Sequence, residues 1–121
     1  MTWSSHLKLV ENHLFLLYWC LLYVVSPIKN LPLDYHFTEI FLPQNGLGGD
    51  PGWEIDIVVD TDGRTYYDIY DTEGNFEKLF TKKRYSEAEF RSALKETLLQ
   101  VALQFPERER EAREVIRKWS L

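Results

Sequence analysis

Residues 53–80 read WEIDIVVDTDGRTYYDIYDTEGNFEKLF, and the reading of this stretch decides the fold class. One five-residue pattern occurs in it twice: Asp60-Thr61-Asp62-Gly63-Arg64 and, eleven residues on, Asp71-Thr72-Glu73-Gly74-Asn75. Each copy opens with an acid that can cap a turn with its own side chain. Each also has a glycine where a three-residue hairpin loop turns left-handed. The residues between are largely aromatic and β-branched, types that suit a pleated, half-buried surface. The pattern predicts an antiparallel meander with strands at 53–60, 64–71 and 75–80.

Turn geometry also sets the register. Pairing Asp60 with Arg64 puts Ile57 opposite Tyr67 and Ile55 opposite Ile69 on one face, a sensible inner set. It puts Asp56 opposite Asp68 on the other face, where like charges oppose each other and removing one would relieve repulsion. The third strand fits less well, because this register brings Glu77 beside the inner set.

Upstream of the meander, residues 35–42 are rich in aromatic and β-branched types and end at Pro43. They predict a further, edge strand. Residues 44–52 read as a glycine-rich loop, without the lysine and the strand-to-helix setting of a phosphate-binding loop. Residues 3–25 read as a helix, with Leu7, Val10, Leu14, Leu17, Leu21 and Val25 at helical spacing. Pro27 ends it by pushing Ser26 out of the α region. The second half of this helix is apolar on all sides, so it needs cover all round, from the rest of the chain or from a second subunit. A strand competes for that half. The apolar run 14–25 would rise roughly 18 Å as a helix against a hydrocarbon core of about 30 Å, so no membrane span is expected.

Downstream, Ser86-Glu87-Ala88-Glu89 is a capping box with Tyr85 and Phe90 as its hydrophobic staple. Phe90, Leu94, Leu98, Val101 and Phe105 form the buried stripe of the helix that follows. Pro106 suits the first turn of a second helix, whose apolar side is Ala112, Val115, Ile116 and Trp119. The fold class expected is α+β. An antiparallel β-meander of three to four strands packs against an N-terminal helix and two C-terminal helices, in one domain over residues 1–121, with the order α-β-β-β-β-α-α.

Composition narrows the function. The chain has 121 residues, 45% hydrophobic and 27% charged, the make-up of one folded domain. Cys20 is the only cysteine, which rules out an intrachain disulfide and points to a reducing compartment, so a cytoplasmic localisation is expected. A net charge of −5 disfavours nucleic acid as a partner.

Candidate chemistry is sparse. His6, His13 and His36 have no partnered nucleophile in view, and Cys20 lies in the most apolar run. Asp60-Thr61-Asp62-Gly63 opens like a calcium loop but lacks its closing ligands. No catalytic residue, metal site or cofactor is expected.

Charge is unevenly spread: residues 50–77 hold nine carboxylates and one base, Arg64, for a local charge of −8. Aromatic residues beside carboxylates make a good protein-binding surface. The partner-binding candidates are Trp53, Glu54, Asp56, Asp62, Tyr66, Asp68, Tyr70 and Glu73, expected to meet a basic protein. The function expected is a stoichiometric inhibitor, such as an immunity protein that neutralises a basic toxin or nuclease. One alternative is a structural or adaptor subunit, with a homodimer formed through the apolar helix. Another is an enzyme using Asp56 and Asp68 as a carboxylate pair. The plainest alternative is a solvated sheet face, partly neutralised by Lys78 beside Asp68.

Overall fold

The computed structural model describes residues 12–42, 46–75 and 82–121. Its element order is α1 (Asn12–Val25), α2 (Phe37–Phe41), β1 (Leu47–Gly49), β2 (Trp53–Val59), β3 (Thr65–Asp71), β4 (Lys82–Ser86), α3 (Glu87–Gln104) and α4 (Glu109–Lys118). A 3-10 turn, Pro106–Arg108, leads into α4. The fold is α+β, with one antiparallel sheet in the order β1-β2-β3-β4.

The β2–β3 hairpin forms in the expected register. Ile57 pairs with Tyr67, Ile55 with Ile69, and Asp56 with Asp68. Gly63 closes the turn at φ +80°, where a side chain would be strained, and the Asp60 carboxylate accepts from the backbone N–H groups of Asp62 and Arg64. Gly74 in the second copy of the pattern is likewise left-handed, at φ +67°.

Three expectations need correction. Residues 35–42 do not form a strand: α2 lies there, and it buries Phe37, Ile40 and Phe41. That i, i+3, i+4 spacing is helical, and it outweighs the β propensity of the individual residues. The edge strand is instead β1, inside the glycine-rich loop. Gly49 there pairs with Trp53, and a Cβ at Gly49 would sit 3.1 Å from the Trp53 indole.

The third correction concerns the strand beside β3, which is Lys82–Ser86; Asn75 lies in the turn, and residues 76–80 fall outside the described residues. In this pairing Tyr85 faces Tyr67 on the inner side and Arg84 faces Asp68 on the outer side. The inner-face neighbour of Tyr67 on this strand is thus a buried aromatic, Tyr85, and Glu77 lies outside the described residues.

The core lies between the inner sheet face and the helices. Trp53, Ile55, Tyr67, Ile69 and Tyr85 are all buried. The Tyr67 ring stacks on Phe90 of α3 with centroids 4.0 Å apart, and the Tyr85 hydroxyl donates to the His13 carbonyl of α1 at 2.7 Å. Helix α3 starts at the capping box: Ser86 Oγ accepts from the Glu89 N–H, and Glu89 Oε1 accepts from the Ser86 N–H. Its buried stripe includes Phe90, Leu94, Leu98 and Val101.

Of the long N-terminal helix, residues 3–11 lie outside the described residues. The described part ends where expected, with Ser26 at φ +30°. Leu16 to Leu22, Val24 and Val25 are buried within one chain. The chain itself therefore covers the all-apolar half-helix, which removes the reason for burying it against a second subunit. No helix among the described residues is long and apolar enough to cross a membrane.

Candidate functional site

Alternation along the strands sends a second set of side chains away from the core. Cross-strand pairing arranges them in rows: Glu54, Tyr70 and Lys82; Asp56, Asp68 and Arg84; Val58, Tyr66 and Ser86. On the inner face, sheet side chains pack on the helices, as with Tyr67 on Phe90 and Trp53 on His36; on the outer face Ser86 caps α3. The outer set forms three columns, in which Asp56, Lys82 and Arg84 are exposed and Glu54, Tyr66 and Tyr70 partly so. The β2 column is acidic, the β4 column basic, and tyrosines flank Asp68 in between.

Asp68 is the centre of this face and is only 3% exposed. Arg84 grips it through two parallel bonds, Nε to Oδ1 at 2.7 Å and Nη2 to Oδ2 at 3.0 Å. Lys82 Nζ lies 3.9 Å from Oδ2. The same cations cover the tyrosines: Lys82 Nζ is 5.5 Å from the Tyr70 ring centroid, and the Arg84 guanidinium 5.6 Å from that of Tyr66. Lys78, expected beside Asp68, lies outside the described residues; Arg84 and Lys82 are the cations described there.

The Arg84 hydrogen bonds hold the Asp68 carboxyl below its ordinary pKa, against the opposing effect of burial, with the charges of Arg84 and Lys82 adding to the lowering. A depressed folded-state pKa gives stability that is complete above the unfolded value, near 3.9, and is lost as pH falls through the folded value. Asp68→Asn is therefore expected to lower stability by about 1–2 kcal/mol at neutral pH rather than relieve repulsion. The gap from wild type should close in acid. Urea unfolding of both proteins at neutral pH and near pH 3 measures it, and an equal gap at both would refute the assignment.

The other candidates separate by position. Tyr66, Tyr70, Glu54 and Asp56 join Asp68 on the outer face, with Asp56 exposed. Asp62 and Glu73 are exposed at opposite ends of the hairpins. Trp53 is on the other side of the sheet, 3% exposed and edge-on to His36 at 5.4 Å, so it builds the core beneath the face.

The local −8 is also redistributed by folding. Asp60 and Asp71 bond to their own turns, Asp68 is matched by Arg84, and β4 adds two cations to the outer face. Glu54, Asp56 and Asp68 thus stand against Lys82 and Arg84, close to balance. Sequence reasoning missed both cations as members of this face. The signal available was the run Lys82-Lys83-Arg84, directly before the capping box.

Among the described residues no three His, Cys, Asp or Glu side chains gather to hold a metal ion. Cys20 is fully buried, and that burial drives its thiol pKa far up, which keeps it protonated. Comparison with protein-family models finds no match, and neither curated proteins nor solved structures match the chain.

Proposed function

We propose that this chain is a non-catalytic protein-binding module whose contact surface is the outer face of its sheet. The observation that carries this reading is the make-up of that face, with the part-exposed Tyr66 and Tyr70 set among Glu54, Asp56, Lys82 and Arg84. Tyrosines give rigid contact area at low entropic cost, and ordered charges select orientation. Asp68 suits a positioning role, since its carboxylate holds the two cations in place.

An inhibitor of a basic toxin or nuclease is the finer form of this reading. Such a partner would meet the acidic β2 column, Glu54 and Asp56, with the exposed carboxylates Asp62 and Glu73 speeding encounter from the rim. A cytoplasmic site of action goes with the single, buried Cys20.

Affinity capture from the native cell, using wild type and a Tyr66→Ala, Tyr70→Ala double variant, tests the proposal. The expected result is a specific protein retained by wild type at least tenfold better than by the variant, with both folded by circular dichroism. Equal capture by the two would move the interface off this face.

A further inference from the structure

The columns of the outer face have a symmetry that bears on what can cover it. Take a two-fold axis parallel to β3, lying in the plane of contact. Rotation about it carries the β2 column of one copy over the β4 column of another while keeping each residue in its own row. Glu54 then faces Lys82 of the second copy, and Asp56 faces Arg84 of the second copy, each contact occurring twice. Tyr70 and Tyr66 meet their own counterparts on the axis. Asp68 also meets its counterpart, but Arg84 and Lys82 already neutralise each of these carboxylates. A surface that is its own complement under a two-fold rotation is what an isologous dimer requires.

We propose that a second copy of this chain occupies the outer face, in a face-to-face sheet dimer with its axis along β3. This rests on the reading of that face as a contact surface and names one occupant. Face-packed sheets stand about 10 Å apart with strands within about 30° of each other, a gap that opposed Glu–Lys and Tyr–Tyr side chains can fill. A purely basic partner would set like charge against Lys82 and Arg84, whereas a second copy matches both columns.

Three strands spaced about 4.8 Å apart, with five residues each at about 3.4 Å, span on the order of 250 Å² per copy. That is about a third of a standard interface per partner, so the dimer is expected to be weak and concentration-dependent. Dimer and heterologous complex use one face and exclude each other.

Sedimentation velocity over a concentration series tests this with two charge reversals, Glu54→Lys and Lys82→Glu. Each reversal sets like charges together at both symmetric contacts and should weaken its own homodimer about tenfold or more. Mixing the two variants restores opposite charges at both contacts, so the equimolar mixture should dimerise as wild type does. The wild-type dimer should also weaken with added salt, a readout independent of how well the variants fold.

A wild type that stays monomeric at several hundred micromolar, a dimer indifferent to Glu54→Lys or to salt, or folded variants that do not rescue each other would each overturn the proposal. A monomeric wild type whose capture of a cellular protein still depends on Tyr66 and Tyr70 would sink the dimer alone. A rescued pair with no Tyr-dependent capture would leave the face as a self-association surface only.

Discussion

Replacing Arg108 by alanine is expected to cost about 2–4 kcal/mol of stability, from a charged group with several backbone bonds that is 17% exposed. Its Nη1 donates to the carbonyls of Pro27 at 2.7 Å and Lys29 at 3.1 Å, and its Nη2 to that of Leu31 at 2.7 Å. Glu111 Oε1 accepts from Nε and Nη2, while Glu111 Oε2 accepts from the Leu33 N–H at 2.7 Å. The Arg108–Glu111 pair thus satisfies three carbonyls and one N–H of the α1–α2 connector. It also seats Leu33, which is fully buried, in the core.

Alanine would leave three carbonyls to find other donors, and Arg108→Lys should recover less than half of the loss. A lysine's three donors radiate from one nitrogen and cannot span the three carbonyls and the carboxylate that the planar guanidinium reaches. Urea midpoints for wild type and both variants decide this, with an unchanged m-value expected if folding stays two-state. A lysine variant as stable as wild type would show that charge, rather than the planar fork, holds the connector.

The reach of that arginine shows where the sequence was legible and where it was not. The β2–β3 hairpin could be read because its determinants are local: a capping acid, a glycine at the left-handed position, and alternation that fixes register from the turn outward. The start of α3 was readable for the same reason, since Ser86 and Glu89 each bond the other's backbone three residues away. Strand β4 was not, because Lys82-Lys83-Arg84-Tyr85-Ser86 has no apolar alternation. It belongs to the sheet through Tyr85 in the core and Arg84 on Asp68, sixteen residues away.

The same holds for the candidate face. Its acidic column and tyrosines were legible, but the cations that turn an acidic patch into a nearly balanced one come from a strand without a strand's pattern. Helix α2 misled for a different reason. Phe37, Ile40 and Phe41 favour strands one by one, and only their spacing reveals the helical face they bury. Arg108 stands in sequence within the charged run Glu107-Arg108-Glu109-Arg110, with nothing local to single it out. Its backbone partners lie 77 to 81 positions away, beyond any local signal.

Phe90→Ala is expected to be the most damaging single change in the core, at about 3–5 kcal/mol, the usual range for deleting a buried aromatic. The ring is fully buried where sheet and helices meet. It lies nearly parallel to Tyr67, 12° between planes at 4.0 Å, and edge-on to Phe41 at 6.3 Å. Its loss would leave a cavity bounded by β3 on one side and α2 on the other, elements that cannot both move inward without breaking the β2–β3 register.

The neighbouring hydroxyl supplies the control. Tyr67 is fully buried, and its hydroxyl has no hydrogen-bond partner among the described residues. Burial pushes its pKa up to about 12, so the group stays neutral at any ordinary pH. Tyr67→Phe removes an oxygen that forms no such bond while keeping the stacked ring, so it should shift stability by less than about 1 kcal/mol, toward greater stability. Against a total of about 5–15 kcal/mol for a domain, the two substitutions should be easy to separate by urea unfolding. A Phe90→Ala loss below about 1.5 kcal/mol would mean that the site collapses around the deletion, and that the Tyr67–Phe90 stack does not hold α3 to the sheet.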